Sequence, residues 1–177
     1  DLVVVEFAVN DEGDETQGVS FESLVMKILQ AENAPAVLLN FAVFMNDWNL
    51  QNRLQPIGER YELPMVSVKD AVVPQFEKNR VITKRQFFYD IYHPTNDGHR
   101  IMADCIANLF EKVDKEEMAE QDISLDKEPV YGTQFKDLIR FDRTNAEDFA
   151  VIVQNGYDAK DTDIQYVERD MDLNGSP

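Results

Sequence analysis

The 177 residues carry thirty-four acidic and seventeen basic side chains, a formal net charge of −17, so phosphate backbones and anionic lipid surfaces are repelled and nucleic acid is excluded as a partner. With 44% apolar residues the chain can bury one core and part of a second. The lone Cys105 makes no internal disulfide or cysteine-based zinc site, a metal would have only His93 and His99 beside carboxylates, and no stretch approaches the ~20 apolar residues that span a bilayer, so neither metal, cofactor nor membrane is expected.

The chain opens inside an apolar run, Leu2 to Val9, with no initiator Met and no leading loop. This reads as a buried strand with sequence missing upstream of it. Ser20 is placed to cap a helix whose apolar face is Phe21, Leu24, Val25, Ile28 and Leu29, ending as Pro35 approaches. Ala36 to Phe44 follows as a second buried strand. Leu50, Leu54, Ile57 and Tyr61 mark a second helical face, and Leu63 to Val68 a third, short strand. The stretch around Pro74 is less regular. From Thr95 a further helix shows Ile101, Met102, Cys105, Ile106, Leu109 and Phe110 on one side, with Cys105 expected to pack as a small hydrophobe.

Strands alternating with helices predict a parallel sheet covered on both faces, a three-layer α/β/α arrangement. The charge is uneven, with sixteen acidic and nine basic residues up to 110 and eighteen against eight beyond it. Residues 1–112 are therefore expected to form part of one domain. A solvated acidic connector spans 113–130, and 131–177 read as the start of a β-rich module, with strands over Phe135 to Phe141 and Phe149 to Val153 and a turn at Asn155-Gly156.

The densest polar cluster is Phe88-Tyr89-Asp90-Ile91-Tyr92-His93-Pro94-Thr95-Asn96-Asp97-Gly98-His99, which contains both histidines. An Asp three residues before a His, on a turn entering a helix, can place its carboxylate beside Nδ1, fixing the tautomer so that Nε2 takes a proton. Pro94 biases His93 away from helical backbone. Asn10-Asp11 stands at the carboxyl end of the first strand, where open α/β sheets bind ligands. An Asn amide there can donate to a developing oxyanion, although Asn and Asp are also common turn formers. His99 reads as a hydrogen-bonded histidine of the first helical turn. The acidic runs after Asn10 and Asp158 do not fit the calcium-loop spacing.

Val4-Val5-Glu6-Phe7-Ala8-Val9-Asn10-Asp11 resembles the third conserved block of the SGNH, or GDSL-type, hydrolases, and Asp90-Ile91-Tyr92-His93-Pro94 with Gly98-His99 resembles their fifth. The resemblance covers residues 1 to about 112. It implies an incomplete SGNH/flavodoxin-like fold, with Asn10 an oxyanion-hole donor, His93 the general base and Asp90 its partner. Ala8 stands where the family has Gly, and the family's nucleophilic Ser block lies upstream of its third block, so no serine of this chain takes that role. The expected parent is a bacterial esterase, extracellular or cytoplasmic, deacetylating carbohydrate or another small ester. The chain alone is expected to be inactive, and a missing N-terminal segment or another chain to complete its sheet. Trp48 and Tyr92 are candidate substrate contacts, Trp48 as a stacking surface for a sugar or, equally, a packing residue. The alternative on the same fold is a non-catalytic carbohydrate-binding or scaffolding protein.

Overall fold

The computed structural model describes residues 1–10, 14–79, 81–115, 125–141, 145–151 and 153. Three parallel strands, β1 (Leu2–Val5), β2 (Ala36–Phe41) and β3 (Met65–Ser67), pair in the order β1-β2-β3. Val5 lies opposite Leu39, and Leu39 opposite Met65. Helices α1 (Val19–Leu29) and α2 (Gln51–Arg60) form the crossovers, followed by α3 (Val68–Glu77), the short α4 (Lys84–Phe87) and α5 (Asn96–Lys115). This is an α/β fold, as the alternation of apolar periods predicts.

Every residue of β2 from Val37 to Phe41 is buried, which is why it reads as an apolar run broken only by Asn40. Val5, Val37 and Leu39 pack with Phe21, Val25, Leu54, Ile57 and Tyr61 in one core cluster. Val43, Val68, Val72, Phe87 and Phe88 form a second, against which Ile101 and Met102 of α5 rest. The strand β1 borders the described sheet, with Leu2 and Val4 nearly half exposed.

Several elements differ from expectation for local reasons. The first strand ends at Val5 rather than Val9, because the Glu6 carboxylate accepts from the Ala8 amide at 3.0 Å and turns the chain. The second ends at Phe41 because Phe44 N–H donates to the Trp48 carbonyl and closes a loop. Helix α1 is entered through Gly18, at φ 105°, not through a Ser20 cap. Asp14 accepts from the Gly18 amide at 2.8 Å, and Thr16 Oγ1 from the Ser20 amide at 2.9 Å, so these two side chains satisfy two of the free donors at its start. The irregular stretch around Pro74 is helical: Ser67 Oγ accepts from the Asp70 amide and caps α3, which tolerates Pro74 within it.

The chain divides into two compact units, Asp1–Leu138 and Ile139–Pro177. The expected strand over 135–141 is absent. Lys136 and Leu138 amides donate to the Thr133 and Phe135 carbonyls, closing turns, while the Phe135 amide donates to Ser23 Oγ and Lys27 Nζ to the Leu138 carbonyl. The backbone is thus committed to turns and to α1 instead of a ladder. In the second unit, residues 146–148 form a 3₁₀ turn and Phe141 meets Phe149 edge-on, 4.9 Å between centroids. Phe149, Ala150 and Val151 form no strand, and Val151 and Val153 are more than four-fifths exposed; Ile152 of the expected strand lies outside the described residues. The Asn155-Gly156 turn and Asp11 lie outside the described residues, as does the acidic run after Asp158.

One buried carboxylate ties residues 130–132 to the sheet's helical layer. Glu22 is fully buried on α1. It accepts from the Tyr61 hydroxyl at 2.8 Å and from the amides of Val130, Tyr131 and Gly132 at 2.7, 2.6 and 2.9 Å. Burial, and then the hydrogen bond and charge of Glu22, push the Tyr61 phenol upward, so it stays the donor. A carboxylate is tolerable there because donors surround it. The substitution Glu22→Ala strands those donors and is expected to lower the urea midpoint by an amount corresponding to ~3 kcal/mol. A far-UV circular dichroism titration measures this, and a midpoint equal to wild type would show that the clamp contributes nothing.

Candidate active site

The loop between α4 and α5 is built from its anchors inward. Thr83 and Gln86 exchange hydrogen bonds as a capping box at the start of α4. Phe87 and Phe88 then bury themselves, rings 4.7 Å apart and edge-on, leaving Tyr89 outside. Phe88 bridges Pro94 in antiparallel fashion, and the Tyr89 amide donates to the His93 carbonyl at 2.8 Å. Thr95 caps α5, its Oγ1 accepting from the Gly98 amide at 3.0 Å. Gly98 is required by close approach: a Cβ there would collide with the Phe87 carbonyl oxygen and lie 2.8 Å from Pro94 Cβ. The first turn of α5 is thereby pressed directly against the loop.

Within this frame Asp90 Oδ1 accepts from the Tyr92 amide at 2.7 Å and the His93 amide at 2.8 Å. His93 Nδ1 lies 3.0 Å from Oδ1 and 2.8 Å from Oδ2. The hydrogen bond from His93, then the amides of Tyr92 and His93, hold the Asp90 carboxyl down at about 2. Asp90 is therefore an acceptor only, Nδ1 is the donor, and in the neutral ring Nε2 is left with its lone pair. His93 is 73% exposed and Asp90 42%. Solvent screens a pair so open, and what Asp90 provides here is orientation.

His93 borders a cavity of about 210 Å³ together with Asn10, Tyr92, Glu6 and His99. Asn10 reaches it from the turn that follows β1, where the Ala8 carbonyl accepts from the Leu50 amide at 2.7 Å. Asp90 stands behind His93 and does not line the cavity. Trp48 lines a neighbouring cavity of about 430 Å³ with Phe44, Met45, Asn46, Ile91 and Tyr92. Phe44 and Tyr92 border both. Glu6, which stands in the block around Asn10 but drew no role from it, and Phe44, which carries no motif signal, were missed by sequence reasoning, whereas His99, read as a first-turn histidine, also borders the smaller cavity. Among the described residues no group of three His, Cys, Asp or Glu side chains is placed to hold a metal, and no helix is long and apolar enough to cross a membrane.

No protein-family model and no curated protein matches the chain. Solved structures do. It is 33% identical to a two-domain esterase active on acetylated mannans, with a TM-score of 0.71, covering 77% of this chain and 37% of that one. A second structure of such an esterase, co-crystallised with mannopentaose, matches at 33% identity and a TM-score of 0.68, covering 77% and 36%. The chain has an esterase-like fold, and it spans little more than a third of the length of these neighbours.

A carboxyl depressed from 3.8 to about 2 contributes to loop order fully above pH ~4, and that contribution is lost as pH falls through 2. Carbon-13 NMR of the Asp90 carboxyl is expected to titrate near 2; a midpoint at the ordinary value would mean that the Asp90–His93 pair does not form in solution.

Proposed function

We propose that this chain carries the general base, its orienting carboxylate and one oxyanion donor of an SGNH-type serine esterase that, in the intact protein, removes acetyl groups from carbohydrate. The observation that carries the reading is His93 Nδ1 at 2.8 Å from the Asp90 carboxylate, on a ring that borders one cavity with Asn10. The neighbouring esterases' action on acetylated mannans supports an acetylated polysaccharide as the substrate class.

The nucleophile belongs to sequence outside this chain. Among the described residues every serine hydroxyl is engaged elsewhere: Ser20 with Thr16, Ser23 with the Val19 carbonyl, and Ser67 with Gln51 Oε1 while it caps α3. The open side of β1, with Leu2 and Val4 exposed, suits pairing with a further strand of the same domain. That the chain spans about 37% of the first neighbour leaves length for both.

In this scheme His93 Nε2 takes the proton as the serine oxygen bonds to the ester carbonyl carbon, and the Asn10 amide donates to the oxygen that becomes negative. Collapse breaks the carbon–oxygen bond to the sugar, and the imidazolium returns its proton to the leaving alkoxide. Water then attacks the acetyl-enzyme with His93 again as base, releasing acetate and restoring the serine. Asp90 keeps Nδ1–H pointed away from the reaction throughout.

The intact protein is expected to hydrolyse p-nitrophenyl acetate, and His93→Ala to lower kcat at least ~10³-fold, since members of such a unit act together. Undiminished turnover in that variant would remove His93 from the mechanism and favour a carbohydrate-binding role for the fold.

A further inference from the structure

We propose that the loop between β2 and α2 is a rigid aromatic platform, formed by Phe44 and Trp48 with Tyr92 at its edge, that seats the sugar unit next to the acetylated one. The proposal rests on the esterase reading for its substrate class and on the loop's own construction for its place.

Phe44 and Trp48 stack, centroids 5.8 Å apart and planes at 19°, and Tyr92 meets Phe44 edge-on at 5.1 Å. The loop that carries them is fixed from several sides. Phe44 N–H donates to the Trp48 carbonyl at 3.0 Å, Asp47 N–H to the Phe44 carbonyl at 2.9 Å, and the Trp48 amide to Asn46 Oδ1 at 3.1 Å. Asp47 sits in the left-handed region, φ 67°. From α4, Lys84 Nζ donates to the Met45 carbonyl and to Asp47 Oδ2, both at 2.7 Å. The Met45 amide donates to the Ile91 carbonyl at 3.2 Å, joining the platform to the loop that bears Asp90 and His93.

The chemistry of the groove selects its occupant. All six lining residues are uncharged, and Asn46 alone among them has a side-chain amide, on a chain whose net charge is −17. A pyranose ring is uncharged, offers an apolar C–H face to aromatic rings and keeps its hydroxyls toward water or an amide. Phe44 and Tyr92 also border the His93 cavity, so a ring seated here lies beside the reacting ester, as the next unit of the same polymer.

Binding of an unacetylated oligosaccharide reports the groove without reference to catalysis. Calorimetric titration of the intact protein with unacetylated mannopentaose is expected to give saturable binding that Trp48→Ala weakens at least ~10-fold; no binding, or equal binding by the variant, overturns the proposal. In the intact protein, Trp48→Ala is expected to lower kcat/KM on an acetylated manno-oligosaccharide at least ~10-fold more than on p-nitrophenyl acetate. Trp48→Phe should restore most of that preference, and Lys84→Met, which releases the loop, should reduce it. Equal losses on both esters would assign Trp48 a packing role and overturn the platform. Should intact wild-type protein hydrolyse neither ester, the esterase reading fails, and the calorimetric titration still decides the groove.

Discussion

Parallel pairing places the carboxyl ends of β1 and β2 on one rim of the sheet, and every group of the candidate site depends on that. With Val5 opposite Leu39, the turn bearing Asn10 and the loop bearing Phe44 and Trp48 emerge side by side. An antiparallel partner would send one of them to the far end. The Leu50 amide donating to the Ala8 carbonyl then stitches the two exits together just beyond the strands. The third contribution comes from outside the sheet: α4 and α5 deliver the Asp90–His93 loop to the same rim by burying Phe87 and Phe88 and by the close seat of Gly98.

Legibility in the sequence followed the range of the interaction. Where one element's own period decides burial, the sequence sufficed: Phe21 and Val25, Leu54, Ile57 and Tyr61, and Val37 to Phe41 are buried as their spacing predicts. The Asp90–His93 contact was legible because three residues of a tight turn contain it. What was missed is side chain acting on backbone. Glu6 ends β1 by taking the Ala8 amide, and Ser67 begins α3 despite the apolar Val68 that read as more strand. Pro74 in α3 and Pro56 in α2 are tolerated within their helices, where a breaker rule expects an interruption. The segment 130–138 lay furthest from reach, since its backbone partners, Glu22, Ser23 and Lys27, stand more than a hundred residues earlier. Its apolar residues Phe135 and Leu138 suggest a strand only while those partners are ignored.

The two carboxylates that organise this chain do so by opposite means. Glu22 is buried and saturated by one hydroxyl and three amides, so it acts as a structural clamp that solvent does not weaken. Asp90 is open to water and also accepts from backbone amides, two of them, but adds an imidazole. Backbone donors consume part of each acceptor's capacity in both cases. Only in Asp90 does the remaining capacity face a side chain able to carry a proton, and its proposed mechanistic role rests on that difference.

Exposure also bears on how the Asp90–His93 contact would act in the proposed esterase, because a charge acts more weakly on its neighbour in water than where water is excluded. At 73% exposure His93 is oriented but not yet in such an environment. The surfaces able to change that are the neighbouring rings: Tyr92 lies 6.2 Å from the imidazole centroid and in turn abuts Phe44. A sugar seated against Phe44 and Tyr92, as proposed, would displace water beside His93. On the proposed reading, binding on the aromatic platform and exclusion of water from His93 are then one event, and a small ester such as p-nitrophenyl acetate, which leaves the platform wet, would draw on only part of it.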